Sequence, residues 1–420
     1  MPIEAVSQIA PGMVYVLIGN DDLNVAADVT LVSLTADGIL ANSGQHVITV
    51  SGLIKTYDDA INTIGCEAPQ TIVIEKSGTL IAGYTGEEKN GDGVILDGIG
   101  STLVNHGTIL ASGAGLSLFV RDAGTTTISN TGYIFGEQFG IWNKFGIGVL
   151  HFTNTGVVES AGTSFFGGTA IDNVTNAGIM KGDVKLNGGN DVYLGQSGVV
   201  YGMIHGGDGD DRFVLGNAPD KVDGGFGFDT LDFSAVTVAL TIDLANGGAN
   251  RGATAFADTY LNIEAVIGGT KADILRGSSD DNRLEGRTGV DRLDGGAGQD
   301  MLIGGTGGDI LTGGAGADVF AFNGQADFRD LITDFEVGVD ILRFVSALVG
   351  LGGATGGLDP SRFHTGTSNV AGDSSDKFIF NTTDSTLWWD RDGSGSRHMA
   401  QLVADLQDGV ILTAASIDLI

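Results

Sequence analysis

The chain has 420 residues, of which 42% are hydrophobic, 70 are Gly and 5 are Pro. That apolar content excludes global disorder, and glycine without matching proline excludes a collagen-like rod. Against 21 Lys plus Arg stand 52 Asp plus Glu, a net charge of −31, which excludes nucleic acid and anionic membrane as partners and favours cations.

Cys66 is the only cysteine, so an internal disulfide and a cysteine-based zinc site are both excluded. The opening MPIEAVSQIAPGMVYVLIGNDD has no basic region ahead of its short apolar run and makes a poor secretory signal. No stretch approaches the roughly 18 to 20 apolar residues of a membrane span.

Residues 1–187 read as a right-handed parallel β-solenoid. NHGTI begins at Asn105, NTGYI at Asn130, NTGVV at Asn154 and NAGIM at Asn176, spaced by 25, 24 and 22. Weaker copies, VSGLI from Val50 and KSGTL from Lys76, extend the series backwards. Each unit alternates β-branched residues around a Gly turn, the pattern of short strands. A period of this length predicts one coil that buries its apolar residues against its neighbours. The recurring asparagines predict a stacked ladder, because Asn tolerates left-handed backbone and bonds its own turn. TYDDAINTIG (56–65) fits a short helix.

From Gly188 the period tightens to nine. A first block, 188–232, holds GGNDVYL, GGDGDDRFV, the degenerate LGNAPDKVD (215–223) and GGFGFDTLD. A β-rich insertion is expected over 233–267. A second block, 268–322, holds GGTKADILR, GSSDDNRLE, GRTGVDRLD, GGAGQDMLI, GGTGGDILT and GGAGADVFA in register. Their sixth positions are Asp273, Asn282, Asp291, Asp300, Asp309 and Asp318, and their eighth are Leu275, Leu284, Leu293, Leu302, Leu311 and Phe320. NAGIMKGDVKLNGGNDVYL passes from the long period to the short one without a Pro or polar linker, so the solenoid is expected to continue into the roll.

A glycine-rich half followed by an x-apolar-x half is a turn and a very short strand. Two units then form one flattened coil of about 18 residues, so units n and n+2 stack on the same side. Coils lie roughly 4.8 Å apart, and a cation midway would sit about 2.4 Å from oxygens on each, a Ca–O bond length; magnesium prefers shorter bonds. The candidate ligands are Asp191, Asp208, Asp211, Asp229, Asp273, Asn282, Asp291, Asp300, Asp309 and Asp318. Turn carbonyls exposed by glycine supply the rest, with Gly206, Gly224, Gly268, Gly286 and Gly295 opening their units. Position 297 would extend that glycine set, but the residue there is Ala297 and it is set aside as a ligand.

Asp211 with Asp229, Asp273 with Asp291, Asp291 with Asp309, Asn282 with Asp300, and Asp300 with Asp318 each frame a site. Uncharged Asn282 weakens its own, and Lys271 and Asp280 replace the fourth-position glycine of the first two units. Stacked carboxylates about 5 Å apart repel by about 3 kcal/mol at an effective dielectric near 20, and ordering each residue costs about 1 to 2 kcal/mol. One apolar residue per nonapeptide does not offset that. At millimolar calcium and a dissociation constant near 0.1 mM each ion contributes about 1.4 kcal/mol, which predicts a roll that folds only with Ca2+.

These nonapeptides resemble the calcium-binding β-roll of RTX (repeats-in-toxin) proteins over about 188–321. LNIEAVIGGTKADILRG (261–277) is similar to a common lead into such a roll, and DLITDFEVGVDILRF (330–344) to a common exit. Within 323–420 the tail STLWWDRDGSGSRHMAQLVADLQDGVILTAASIDLI looks like the export domain of type I secreted substrates, ending in Asp418, Leu419 and Ile420. The resemblance implies a bacterial protein threaded out unfolded by a type I exporter, which folds on meeting external calcium and is then secreted or held at the cell surface. DRDGSGS, with Asp390 and Asp392, is similar to half an EF-hand loop but lacks the Glu at position twelve. It is either a further calcium site or a tight turn.

RTX rolls accompany many activities, so function must rest on particular sites. The sequence has no His-Glu-x-x-His of a metalloprotease, no Gly-x-Ser-x-Gly elbow of a lipase and no amphipathic membrane segments of a pore former. A carbohydrate-active β-helix enzyme (lyase, hydrolase or epimerase) stays open, with Glu137, Asp172, Lys144, His151 and Arg121 as scattered candidates. His106 and His151 read as turn or surface residues, while Trp142, Trp388 and Trp389 either stack on sugar or pack in the core. The favoured expectation is a calcium-dependent scaffold (surface layer, filament, biofilm matrix or adhesin). It would self-associate through two open solenoid ends, with cell-surface polysaccharide as a candidate partner.

Overall fold

The computed structural model describes residues 2–83, 90–119, 123–216, 218, 220–246, 250–251, 257–393 and 398–420. Arg121, Asn217 and Pro219 of the degenerate unit, and 394–396 of DRDGSGS lie outside them. Among the described residues there is no α-helix, only strands and the single-turn 3-10 helices Gln325–Asp327, Pro360–Arg362 and Ala414–Ser416. The chain divides into two compact units, Met1–Asp229 and Thr230–Ile420.

The first unit is a stack of parallel coils. One face runs through Val47–Val50, Thr71–Ile74, Thr102–Asn105, Thr125–Asn130, Val149–Asn154, Asp172–Asn176, Val192–Leu194 and Arg212–Val214. Alternation sends every second side chain inward, so Ile48, Ile72, Leu103, Ile128, Phe152, Val174, Tyr193 and Phe213 stack in one buried column. A second face carries Leu53–Lys55, Thr79–Ala82, Thr108–Ala111 and Tyr133–Gly136, and a third Val94–Asp97, Ala114–Phe119 and Phe139–Asn143. Both then pair with one long strand, Val157–Phe166. Two faces fuse there, which is why the period shortens downstream.

The predicted registers hold. Asn105, Asn130, Asn154 and Asn176 are partners in successive strands, and their amides form a buried chain in which each Nδ2 donates to the next Oδ1 at 2.8, 2.8 and 2.9 Å. Tyr193 accepts the last Nδ2 on its hydroxyl oxygen at 3.1 Å. The glycine two residues after each Asn is obligatory for space: a Cβ on Gly107, Gly132, Gly156 or Gly178 would lie 2.1 to 2.3 Å from the carbonyl oxygen of the glycine one coil earlier. Residues 56–65 differ from expectation. They form bends around the strand Ile61–Asn62 rather than a helix, because Asp59 Oδ1 accepts the Asp92 N–H at 2.8 Å and Asn62 bonds Asp37 and Asp59 across the stack. The junction is continuous, since Ile179–Gly188 pairs with Ile204–Asp208, which pairs with Lys221–Phe226.

The second unit stacks coils of 18 residues, with Ile274, Arg292 and Ile310 in register on one side and Arg283, Met301 and Val319 on the other. Leu275, Leu293 and Leu311 face Leu284, Leu302 and Phe320 in a thin core. Within the insertion, Asn250–Arg251 pairs antiparallel with Thr241–Asp243 and with Ala257–Leu261. Past the repeats, Asp330–Ile332 and Gln401–Leu406 extend one sheet, and Ile341–Phe344 and Ile417–Leu419 the other. Pairing then turns antiparallel at Thr386–Trp389, Phe378–Asn381 and Gly356–Gly357. Phe322 stacks on Phe344 at 4.9 Å, and Phe328 meets Trp389 at 6.1 Å, edge to face. Antiparallel strands and an aromatic cluster thus follow the last coils, and Phe363–Gly366 adds a further strand, parallel to Phe378–Asn381.

Candidate metal centre

Each nonapeptide places its sixth residue at the start of a short strand, on one edge of the coil. In the second unit the backbone N–H of Asp273 donates to Asp291 Oδ1 at 2.7 Å, that of Asp291 to Asp309 Oδ1 at 2.7 Å, and that of Asp309 to Asp330 Oδ1 at 3.0 Å. On the opposite edge the same link joins Asn282 to Asp300, Asp300 to Asp318, and Asp318 to Asp340 at 2.8, 2.9 and 3.0 Å. In the first unit it joins Asp172, Asp191, Asp211 and Asp229 at 2.7, 2.8 and 2.9 Å. Same-side residues thus stack one coil apart, by 18 residues from Asp211 to Asp229 and throughout 273–318, and by 19 to 22 at Asp172–Asp191, Asp191–Asp211, Asp309–Asp330 and Asp318–Asp340.

One oxygen of each carboxylate holds the neighbouring coil, and the other is left over. Oδ2 of Asp191, Asp211, Asp291, Asp300, Asp309, Asp318 and Asp330 is buried without a hydrogen-bond partner, on residues at most 1% exposed. Such oxygens are costly unless a cation or proton meets them. They converge with carbonyls of the next coil: a Cβ on Gly286 would lie 2.5 Å from Asp291 Oδ2 and 2.7 Å from the Gly304 carbonyl oxygen. Gly295 has the same relation to Asp300 Oδ2 and the Gly313 carbonyl, at 2.3 and 2.5 Å, and Gly206 to Asp211 Oδ2 and the Gly224 carbonyl, at 2.1 and 2.4 Å. The first glycine of each pair thus leaves room for two oxygens. The second takes φ between +91° and +117° at Gly207, Gly225, Gly296, Gly305 and Gly314, the left-handed side that glycine adopts freely.

Electrostatics agree. Burial pushes Asp191 up to about 8, Asp211 up to about 6, and Asp291 and Asp300 up to about 7, with neighbouring carboxylates adding to it. Burial likewise raises Asp309 and Asp318. Burial first, and like-charged neighbours in addition, disfavour the charged form, and a divalent cation reverses that. Carboxylate and carbonyl oxygens alone form the donor set of a hard cation, so these residues fit calcium.

Not every sequence candidate joins the rows equally. Asp208 is exposed and stands outside the buried row. Both Asp273 oxygens are already used, Oδ1 by the Leu240 N–H and Oδ2 by the Gly269 N–H, each at 2.8 Å. Asn282 Oδ1 accepts the Ser278 N–H at 2.6 Å, and its Nδ2 donates to the Glu264 carbonyl at 3.4 Å. Asp273 and Asn282 therefore close their rows rather than leaving oxygens free.

Two turn positions stand apart from the others. Gly268 keeps the place of a first glycine, with a Cβ there 2.9 Å from both Asp273 Oδ2 and the Gly286 carbonyl. The Gly269 N–H already holds that Oδ2, so Gly268 faces no free carboxylate oxygen and does not open a site as Gly286 and Gly295 do. A glycine donor at position 297 is ruled out because the residue is Ala297. It ends the strand Arg292–Ala297, lies in register with Ala315, and its N–H donates to the Ser278 carbonyl at 3.1 Å. Ala297 thus belongs to the sheet ladder, outside the donor set.

Three row members were missed as ligand-row positions. Asp172 heads the first row; Gly167, Gly168 and buried Val174 around it repeat the nonapeptide spacing, a signal hidden inside the longer period. Asp330 and Asp340 keep only the Asp-x-apolar half, with Ile332 and Leu342 buried two residues on.

The scattered enzymatic candidates lie in different settings. Asp172 is buried in the row, receiving the Gly168 N–H at 2.9 Å. His106 is exposed and bonds Thr131 Oγ1 at 2.7 Å, and His151 and Glu137 are exposed. Lys144 lies over the Trp142 ring at 4.8 Å, and Trp142 itself stacks on Phe139. Trp389 is buried and donates to the Val349 carbonyl at 3.2 Å, while Trp388 donates to Thr386 at 2.7 Å. Asp390 caps a turn by accepting the Asp392 N–H at 3.0 Å. No helix among the described residues is long and apolar enough to cross a membrane.

The RTX calcium-binding nonapeptide repeat, in four copies, matches residues 203–232, 267–302 and 295–328. No curated protein matches the chain.

Proposed function

Because the chain is an RTX calcium-binding β-roll protein, we propose that it is a secreted structural protein that folds on calcium outside the cell and then self-associates. Asp191, Asp211, Asp229, Asp291, Asp300, Asp309 and Asp318 hold the ions, and Asp273 and Asn282 end the rows. The observation that carries this is the repeated buried carboxylate oxygen with no partner, facing other carboxylates. A chain of net charge −31 cannot close such rows at low calcium and closes them at the millimolar level outside cells. Export through a type I exporter, with the signal in 323–420, suits a chain that stays open until that point.

Self-association is supported by the first coils, where Val6, Ile9 and Ile18 are 66%, 73% and 62% exposed on or beside short strands. Apolar edge strands of this kind recruit further strands. The C-terminal coils carry antiparallel strands at Thr386–Trp389 and Gly356–Gly357 on their last parallel strands, so we assign assembly to the N-terminal coils, in a surface layer, filament, biofilm matrix or adhesin. Electron microscopy and light scattering of the full chain in calcium and in chelator test this. Ordered assemblies in calcium only, lost in Ile9→Lys, are the expected result. Monomers in both conditions overturn the assembly, and turnover of an acidic polysaccharide abolished by one carboxylate substitution overturns the scaffold role.

A further inference from the structure

Away from the aspartate rows, the second unit holds a cleft whose lining runs against the charge of the chain. A cavity of about 790 Å³ lies between Gln325, Arg329, Trp388, His398, Met399 and Gln401, within the size range of small-ligand sites. A second, of about 500 Å³, shares Trp388 and Met399 and reaches Asp390. None of the residues that line the larger cavity is acidic, in a chain with 52 Asp plus Glu against 21 Lys plus Arg. Its polar groups are uncommitted: among the described residues no hydrogen bond or ion pair reaches the side chain of Arg329, His398 or Gln401. Arg329 has φ +94°, the left-handed side that is costly for a residue with a Cβ. Its N–H donates to the Val403 carbonyl at 2.7 Å, which holds it there. Strain at a residue whose charge has no partner points to a group kept for a ligand. Trp388 spends its N–H on Thr386 Oγ1 at 2.7 Å, so its ring is what it offers the cleft, while Trp389 turns inward and is 3% exposed.

We propose that this cleft binds an acidic glycan. A sugar ring stacks on Trp388, its carboxylate pairs with the Arg329 guanidinium, and His398 and Gln401 meet hydroxyls. Charge sets the class, because a net −31 repels anions and leaves room for one only where cations stand clear of carboxylates. An acidic peptide carries the same sign, but the strands here have no free edge to extend one. Thr386–Trp389 pairs with Phe378–Asn381 and Gln401–Leu406, and Gln401–Leu406 pairs in turn with Asp330–Ile332. The site goes beyond the assembly assigned to the N-terminal coils and stands whether or not copies associate.

The test uses the full chain in millimolar calcium, with trigalacturonate as the probe. Isothermal titration should find binding to wild type that weakens about tenfold or more in Arg329→Gln and in Trp388→Ala. Calcium bound per chain stays unchanged in both variants, and maltotriose, the neutral probe, binds about tenfold or more weakly. In wild type the acidic probe should slow hydrogen exchange over 398–402. Wild type that binds no trigalacturonate, equal affinity in a folded Arg329→Gln, or equal affinity for maltotriose overturns the site. Tri-glutamate bound as tightly assigns the cleft to acidic peptide and overturns the glycan. Exchange over 398–402 that ignores the probe overturns it even where the variants fail to fold. Light scattering on the same samples reads assembly separately: assemblies that bind no probe overturn this site alone, and monomers that bind it support the site while overturning the assembly.

Discussion

Asn130 receives the Asn105 amide and gives its own to Asn154, both at 2.8 Å, from a fully buried position. Its side chain also donates to the Val157 carbonyl at 3.2 Å. Asn130→Ala removes the acceptor of the Asn105 amide, which keeps only the Tyr133 carbonyl at 3.3 Å, and the donor to Asn154 Oδ1, and a buried polar group left unsatisfied costs about 1 to 3 kcal/mol. A loss of about 2 to 4 kcal/mol in urea unfolding is expected, with Asn176→Ala costing less because it ends the chain of amides at Tyr193. That ladder was legible in the sequence because the spacings 25, 24 and 22 put one residue type at one corner. The glycine column beside it was legible as a repeat, but its cause is a carbonyl 2.1 to 2.3 Å from each missing Cβ.

Within a coil the unit of meaning is a turn plus a three-residue strand, and the carboxylate at their joint has two tasks. Oδ1 sets the register by accepting an N–H from the preceding coil, and Oδ2 faces the gap. Asp300→Ala removes both, and calcium bound per chain should fall by one or two ions in dialysis, each contributing about 1.4 kcal/mol at millimolar calcium. Asp273→Asn should leave the ion count unchanged, since the Leu240 and Gly269 N–H groups already use both oxygens. The sequence marks Asp273 and Asp300 alike, and Gly268 and Gly295 alike; only the neighbouring backbone separates them. Asp330 is the reverse case, a row member with no glycine pair before it.

The two compact units differ in what fills them. Up to residue 187 the first is packed by columns of Ile, Leu, Val and Phe at or near 0% exposure on its faces, about 25 cal/mol per Å² of buried apolar surface. The roll of the second has one large apolar residue per nonapeptide and an aspartate row on each edge. Chelation should therefore open the roll and spare the solenoid. Limited proteolysis in chelator is expected to cut within 268–322 while leaving a resistant fragment from the first 187 residues, and calcium should protect both. Equal resistance of 268–322 in the two conditions would show that apolar packing alone holds the roll.

By itself the sequence determined the parallel coils, their 18-residue closure, the asparagine ladder and the same-side aspartate pairs. In a solenoid each residue meets its copy one coil away, so a period along the chain is already a contact in space. Tertiary structure alone decided which carboxylates keep a free oxygen, where two faces fuse at Val157–Phe166, and how the C-terminal segment ends the stack. Those outcomes depend on single groups without a period, such as the Gly269 and Glu336 N–H groups that close two rows and the Gln401–Leu406 strand that comes back beside Asp330. Contacts between segments far apart in the chain and unlike in sequence leave no repeat to read.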